Sequence, residues 1–285
     1  MVSVVVNIVL GFLQVTFGLF AHSSALIADG IHSLSDLMSD FIVLFANKHS
    51  HKDADEDHHY GHQRYETGAS LFLGLSLIAV GLSILYKAGD KIIFPVENGQ
   101  LHIVALWVAI FTLLSKEVLF RYMLNLAKKV RSSMLVANAW HARSDAISSL
   151  LVAVSIVGGL LGYKVLDLIG ALIVGLIITK TGWSFSWNAL HDLMDRSISE
   201  EENQKIKTII ISTNQVLDCS ELKTRKMGDM ILVDSYIKVD GKISVEEGYK
   251  IALDVKNNIM KEVPEVLNVM THIEPDSSDS CSHSY

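Results

Sequence analysis

The chain has 285 residues, of which 50% are hydrophobic and only 19% charged, whereas a soluble domain carries about 25% charged residues. These values point to the bilayer as the main solvent. A net charge of -7, with no dense stretch of Lys and Arg, supplies no phosphate-binding footprint and excludes nucleic acid as a partner.

The first apolar run, Val2 to Ala21, lacks a basic leader and is longer than the apolar core of a signal peptide, so it reads as a membrane helix. Six segments are long enough to cross about 30 Å of hydrocarbon: 2–21, 25–47, 67–87, 101–124, 133–162 and 165–189. An even number of spans places both termini on one side. Lys48, Lys52 and Arg64 fall between spans two and three, Arg121, Lys128, Lys129 and Arg131 between four and five, and Arg196 after six. The other loops hold only Lys87, Lys91 and Lys164. This bias predicts cytoplasmic termini, and Trp183 and Trp187 suit the membrane interface.

Charge density rises near Asp195, which divides the chain into a six-helix transmembrane domain (1–195), a cytoplasmic domain (196–275) and a tail expected to be disordered (276–285). Ser199 with Glu202, and Ser244 with Glu247, are capping boxes that open helices running to about Ile211 and Glu262. Strands are predicted from Ser220 to Met227 and from Met230 to Val239, around a Gly228-Asp229 hairpin, and from Val266 to Ile273. The order is αββαβ, an α+β domain. Cys219 and Cys281 form no CxxC, and they suit a reduced compartment rather than a thiolate metal site.

Inside the second span, Asp29, His32, Asp36 and Asp40 share a helix face, as do Asn138, His141, Asp145 and Ser148 in the fifth. Ionisable groups at this depth are costly unless paired, hydrated or bound to an ion. One His-x-x-x-Asp pair is as readily a hydrogen-bonded helix contact. Two copies favour a metal site, because His32, Asp36, His141 and Asp145 together supply two nitrogens and two oxygens, a set that suits tetrahedral zinc. Asp29 and Asp40 lie a turn to either side and read as hydrated. In the first span, Asn7, Gly11, Gln14 and Gly18 share a face that reads as close helix packing.

Ala28-Asp-Gly-Ile-His-Ser-Leu-Ser-Asp36 and Ala137-Asn-Ala-Trp-His-Ala-Arg-Ser-Asp145 resemble the motifs of the cation diffusion facilitator family of metal/proton exchangers. The resemblance extends over nearly the whole chain. It implies an α-helical membrane protein with six transmembrane helices, followed by a ferredoxin-like αββαβ cytoplasmic domain through which the protein forms a homodimer. It also implies that His32, Asp36, His141 and Asp145 form the transport site. Two histidines favour zinc over manganese within the family, with cadmium as a competitor and iron and cobalt open. Asp55, His58 and His62 resemble a second metal site between spans two and three, though a His-rich solvated loop is the alternative. Arg64 and Asp195 occupy the positions of a family charge pair. In the cytoplasmic domain Tyr236, and Tyr249 or Gly248, stand where some relatives have histidine. That leaves His272 and Glu274 as ligands, with Asp276, Asp279, Cys281 and His283 as further candidates.

Metal ligation requires neutral imidazoles and ionised carboxylates, so loading releases protons and protonation releases metal. The expected function is zinc export from the cytoplasm in exchange for protons, by a protein of a bacterial inner membrane. An intramembrane protease is disfavoured, since the chain has no His-Glu-x-x-His and no general base beside the four ligands; no enzymatic activity is expected. A metal sensor or assembly factor that never conducts is the other alternative.

Overall fold

The computed structural model describes residues 2–50, 52, 54–94, 101–130, 133–163 and 165–276. Six long helices come first: α1 (Val2–Phe20), α2 (Ser24–Ser50), α3 (Arg64–Ile93), α4 (Val104–Val130), α5 (Ser133–Leu160) and α6 (Val165–Leu193). They overlap the six predicted spans; α2, α3, α4 and α6 run past theirs, while α1 and α5 end within theirs. Arg64 is the first residue of α3, while Lys87 and Lys91 lie in its last turns and Arg121 lies within α4. A hydropathy reading stops where charge begins, whereas the backbone ladder continues into the headgroup region. The side chains of Lys48, Lys128 and Lys129, together with Arg131 and Lys164, lie outside the described residues.

Among the described residues, three helical stretches are long and apolar enough to cross a membrane, α3, the Ala142–Leu160 part of α5, and α6; Val4–Phe20 is a shorter apolar helix. The distribution of side chains is that of a lipid-facing bundle. Phe12, Phe72, Trp107, Val118 and Leu176 are more than 60% exposed, while Gln14, Asp29, Thr112, Lys116 and Ser149 are buried. In water the opposite arrangement holds. Trp183 and Trp187 are exposed near the end of α6, as an interfacial position requires.

Contacts divide the chain into two compact units, residues 1–44 with 72–186, and residues 45–71 with 187–285. In the first, the core is rich in alanine (Ala21, Ala25, Ala28, Ala105, Ala109, Ala153, Ala171), which lets backbones approach closely. The pairing of α3 with α6 goes further: a Cβ on Gly74 would lie 2.6 Å from the Ser186 nitrogen, and one on Gly182 2.7 Å from the Gly74 carbonyl oxygen. Asp167, in the first turn of α6, caps the start of α2. Its carboxylate accepts hydrogen bonds from Ser23 Oγ (2.6 Å) and from the Ser24 and Ala25 amides (2.7 and 3.4 Å).

The second unit holds α7 (Glu200–Ser212), β1 (Asp218–Met227), β2 (Met230–Asp240), α8 (Val245–Glu262) and β3 (Val266–Asp276). Both predicted capping boxes are formed, with Ser199 and Ser244 as N-caps. The sheet order is β1-β2-β3, β1 antiparallel and β3 parallel to β2, as a hairpin followed by a helical crossover dictates. Every second residue of β2 from Ile231 to Val239 is buried, against Ile206 and Ile210 of α7 and Ile251, Val255 and Ile259 of α8. β3 runs three residues beyond its predicted end, because Lys238, Val239 and Asp240 of β2 still offer it partners. Cys219 is a buried free thiol whose pKa burial pushes up.

Candidate metal centres

In the helix bundle, the i, i+4 spacing brings His32 Nδ1 to 3.5 Å from Asp36 Oδ2. Asp145 of α5 joins them, so that one ligand atom from each of the three lies within 4.8 Å of the others. Ligands at about 2.0–2.1 Å around a tetrahedral ion are separated by about 3.3 Å, so side-chain movements of up to about 1.5 Å would close this group on one ion. His32 is only 7% exposed, and its Nδ1 has no hydrogen-bond partner among the described residues. A buried nitrogen left that way is costly in an apolar bundle and is relieved by a bound ion. A cleft of about 20 Å³, lined by Asn7, Ser33, Asp36, Lys116, Leu119, Ala142 and Asp145, lies beside it, with room for one water or one ion. The side chains of His141, Asn138 and Asp40 lie outside the described residues.

Asp29, read above as hydrated, is instead 1% exposed. One of its oxygens accepts hydrogen bonds from Gln14 Nε2 and from Ser149 Oγ (2.8 Å), and Lys116 Nζ stands 3.7 Å from the other. Four helices therefore meet at this carboxylate. The face of α1 divides accordingly. Gly11 and Gly18 do serve close packing, against Leu34 and Ile27, whereas Gln14 belongs to the polar network and Asn7 to the cleft. Nothing in the spacing of α4 marked Lys116 as its partner; the one available signal was a lysine within a long apolar run. Arg143, inside the second motif, stacks over Phe120 and Trp140 at 5.0 and 5.1 Å.

The loop before α3 forms a second cluster. Asp55 Oδ1 accepts from the amides of Asp57 (3.1 Å) and His58 (2.7 Å), a turn that sets His58 Nδ1 3.1 Å from the same oxygen. Gly61, at φ +79, then turns the chain so that buried His62 places Nε2 3.3 Å from Asp55 Oδ2. The three ligand atoms lie within 4.8 Å of one another. Desolvation pushes the Asp55 carboxyl up, but the backbone and side-chain hydrogen bonds from His58 and the charge of His62 outweigh it and hold it below the usual carboxylate value.

At the end of α6, Asp195 adopts φ +58, the left-handed conformation that stops a helix. There it receives Arg64 Nη2 at 2.6 Å, the expected charge pair, and Arg225 Nη1 of β1 at 3.7 Å, a partner the sequence did not suggest. The tip of the β1-β2 hairpin meets the same helix start: the Asp229 amide donates to Glu66, and a Cβ on Gly228 would lie 2.7 Å from the Gln63 carbonyl oxygen.

On the sheet, the His272 ring packs on Tyr236 at 5.1 Å, and Glu274 accepts from Ser220 Oγ at 2.7 Å. Among the described residues neither belongs to a cluster of three metal-ligating groups. Asp276 ends β3 in an exposed position, and Asp279, Cys281 and His283 lie outside the described residues.

Comparison with known proteins decides the family. The profile of the cation efflux transmembrane domain matches residues 1–194, and that of the cation efflux protein cytoplasmic domain matches 198–276. The chain belongs to the cation diffusion facilitator family. This facilitator is an integral membrane protein, with a helical N-terminal region and a small α+β domain after it. It is 32% identical to the uncharacterized transporter MJ0449 of Methanocaldococcus jannaschii over 95% of both chains. It is 32% identical to the manganese efflux system protein MneS of Bacillus subtilis, over 96% of this chain and 94% of that one. It is also 30% identical to the magnetosome protein MamB of Magnetospira, over 90% of this chain and 88% of that one.

Proposed function

We propose that this facilitator carries divalent metal ions, zinc foremost, out of the cytoplasm in exchange for protons. The observation that carries the reading is the meeting of His32, Asp36 and Asp145 in an apolar bundle, with His32 short of a hydrogen-bond partner. His141, four residues before Asp145 on α5, completes two nitrogens and two oxygens. Imidazole in the set favours zinc, with cadmium, cobalt and iron as weaker competitors. Each ligand must shed its proton to bind, so metal and protons compete for one site, and a rocking bundle converts that competition into exchange. Asp55, His58 and His62 form an accessory site at the cytoplasmic surface, Arg64 with Asp195 restrains the end of the bundle, and the cytoplasmic domain pairs two copies into a dimer. His272 and Glu274 are weaker ligands, engaged with Tyr236 and Ser220.

Manganese is the second reading, favoured by the likeness to a manganese efflux system protein and by the preference of manganese for carboxylates. The purified protein in sealed liposomes separates the two. Zinc flux that rises with an opposing pH gradient and outruns manganese flux is expected. Flux indifferent to the gradient would remove the exchange, and manganese flux without zinc flux would reverse the choice of ion.

A further inference from the structure

Lys116 and Asp29 form an ion pair that four-ligand binding does not use. They are 4% and 1% exposed, in helices α4 and α2, and two charges taken that far from water are retained at a cost in stability. The pair is loose. Lys116 Nζ donates to Ser149 Oγ at 2.8 Å but stands 3.7 Å from Asp29 Oδ1, an oxygen with no hydrogen-bond partner among the described residues. The other oxygen of Asp29 is held by Gln14 and Ser149 independently of the lysine. Lys116 also lines the cleft that contains Asp36 and Asp145. A flexible four-carbon stem tipped with a compact charge is therefore paired with one carboxylate and borders a cleft that two others line.

We propose that Lys116 is a tethered competitor of the transported ion. The inference rests on the reading of His32, Asp36, His141 and Asp145 as the transport site. With metal bound, cation repulsion keeps the ammonium on Asp29 and Ser149. When metal departs, Asp36 and Asp145 are left as neighbouring carboxylates that repel one another, and the ammonium turns toward them. The swing stabilises the empty site and resists recapture of the ion, which favours release. Asp29 is the resting place, and its bonds from Gln14 and Ser149 keep it partly satisfied while the lysine is away.

The two partners then have opposite effects on metal affinity, as any fixed pair of opposite charges near the ion also gives, so the double variant decides: a fixed pair largely cancels there, whereas loss of the competitor still tightens binding. The test is zinc binding, with zinc alone as the probe at fixed pH, to the full-length protein carrying His58→Ala and His62→Ala to remove the loop cluster. Lys116→Met is expected to tighten binding at least about tenfold, a lower bound for removing a unit charge several ångströms from a dication, and to slow release to a chelator. Asp29→Asn frees the lysine from its tether and is expected to weaken binding by a similar factor. Should Lys116→Met fail to fold around an unpaired Asp29, the double variant Asp29→Asn, Lys116→Met buries neither charge and is expected to bind as tightly as the single lysine variant should. Single variants that shift affinity in the same direction, or a double variant that binds like the parent, would overturn the competitor. Zinc affinity unmoved by Asp145→Asn would overturn the site reading on which it rests.

Discussion

At Asp36 and Asp145 the carboxylates face a cleft sized for one ion, and each is a direct ligand in the proposed site. Replacing either by Asn keeps the shape and removes the charge. Each is expected to lower zinc affinity by more than the ~10–100-fold that loss of an outer-shell partner costs, measured by zinc titration of the purified protein. His32 and Asp36 were legible in the sequence because a helix converts a spacing of four into a shared face. Asp29 lies on that same face, yet its role depends on Lys116 and Ser149 from other helices. One-dimensional periodicity carries no information about which helix stands opposite, and that is why Lys116 was not found.

Among the elements, the joins carry the sharpest expectations. Asp167 accepts three hydrogen bonds from the start of α2, so Asp167→Ala leaves those donors without an acceptor and is expected to cost about 2 kcal/mol, read as a lower denaturation midpoint in detergent. Gly74→Leu forces α3 away from α6, since even a Cβ there would lie 2.6 Å from the Ser186 nitrogen; a loss of about 1–3 kcal/mol follows. In the capping box of α7, bonds from the Ser199 side chain and backbone hold the Glu202 carboxyl below its ordinary value of 4.5. A depressed carboxylate adds stability that is present above its unfolded pKa and lost as pH falls through the folded one. The stability of the cytoplasmic domain should therefore fall more steeply with acid below about pH 4.5 in the parent than in Ser199→Ala, which has already lost about 1 kcal/mol at neutral pH. These caps were readable beforehand because they are local, as was the hairpin at Gly228-Asp229. The lengths of α3 and α4 were not, because charged helix ends and true loops look alike to a hydropathy reading.

For the molecule as a whole, Arg64 and Asp195 pose the question of coupling. Both are roughly half exposed, so Arg64→Ala is expected to change stability by less than about 1 kcal/mol while slowing transport, a combination visible by pairing thermal unfolding with liposome flux. The overall plan of apolar helices followed by a small α+β domain followed from composition and periodicity, and the family comparison agrees with it. Which ion crosses is a finer matter, set by donor atoms and their spacing. The most direct test is X-ray absorption at the zinc edge on the full-length protein loaded with one zinc, in the background lacking His58 and His62. Two nitrogen and two oxygen donors at about 2.0–2.2 Å, with imidazole scattering that disappears in the His32→Ala, His141→Ala variant, are expected. Six oxygen donors without imidazole, unchanged by that variant, would contradict the account.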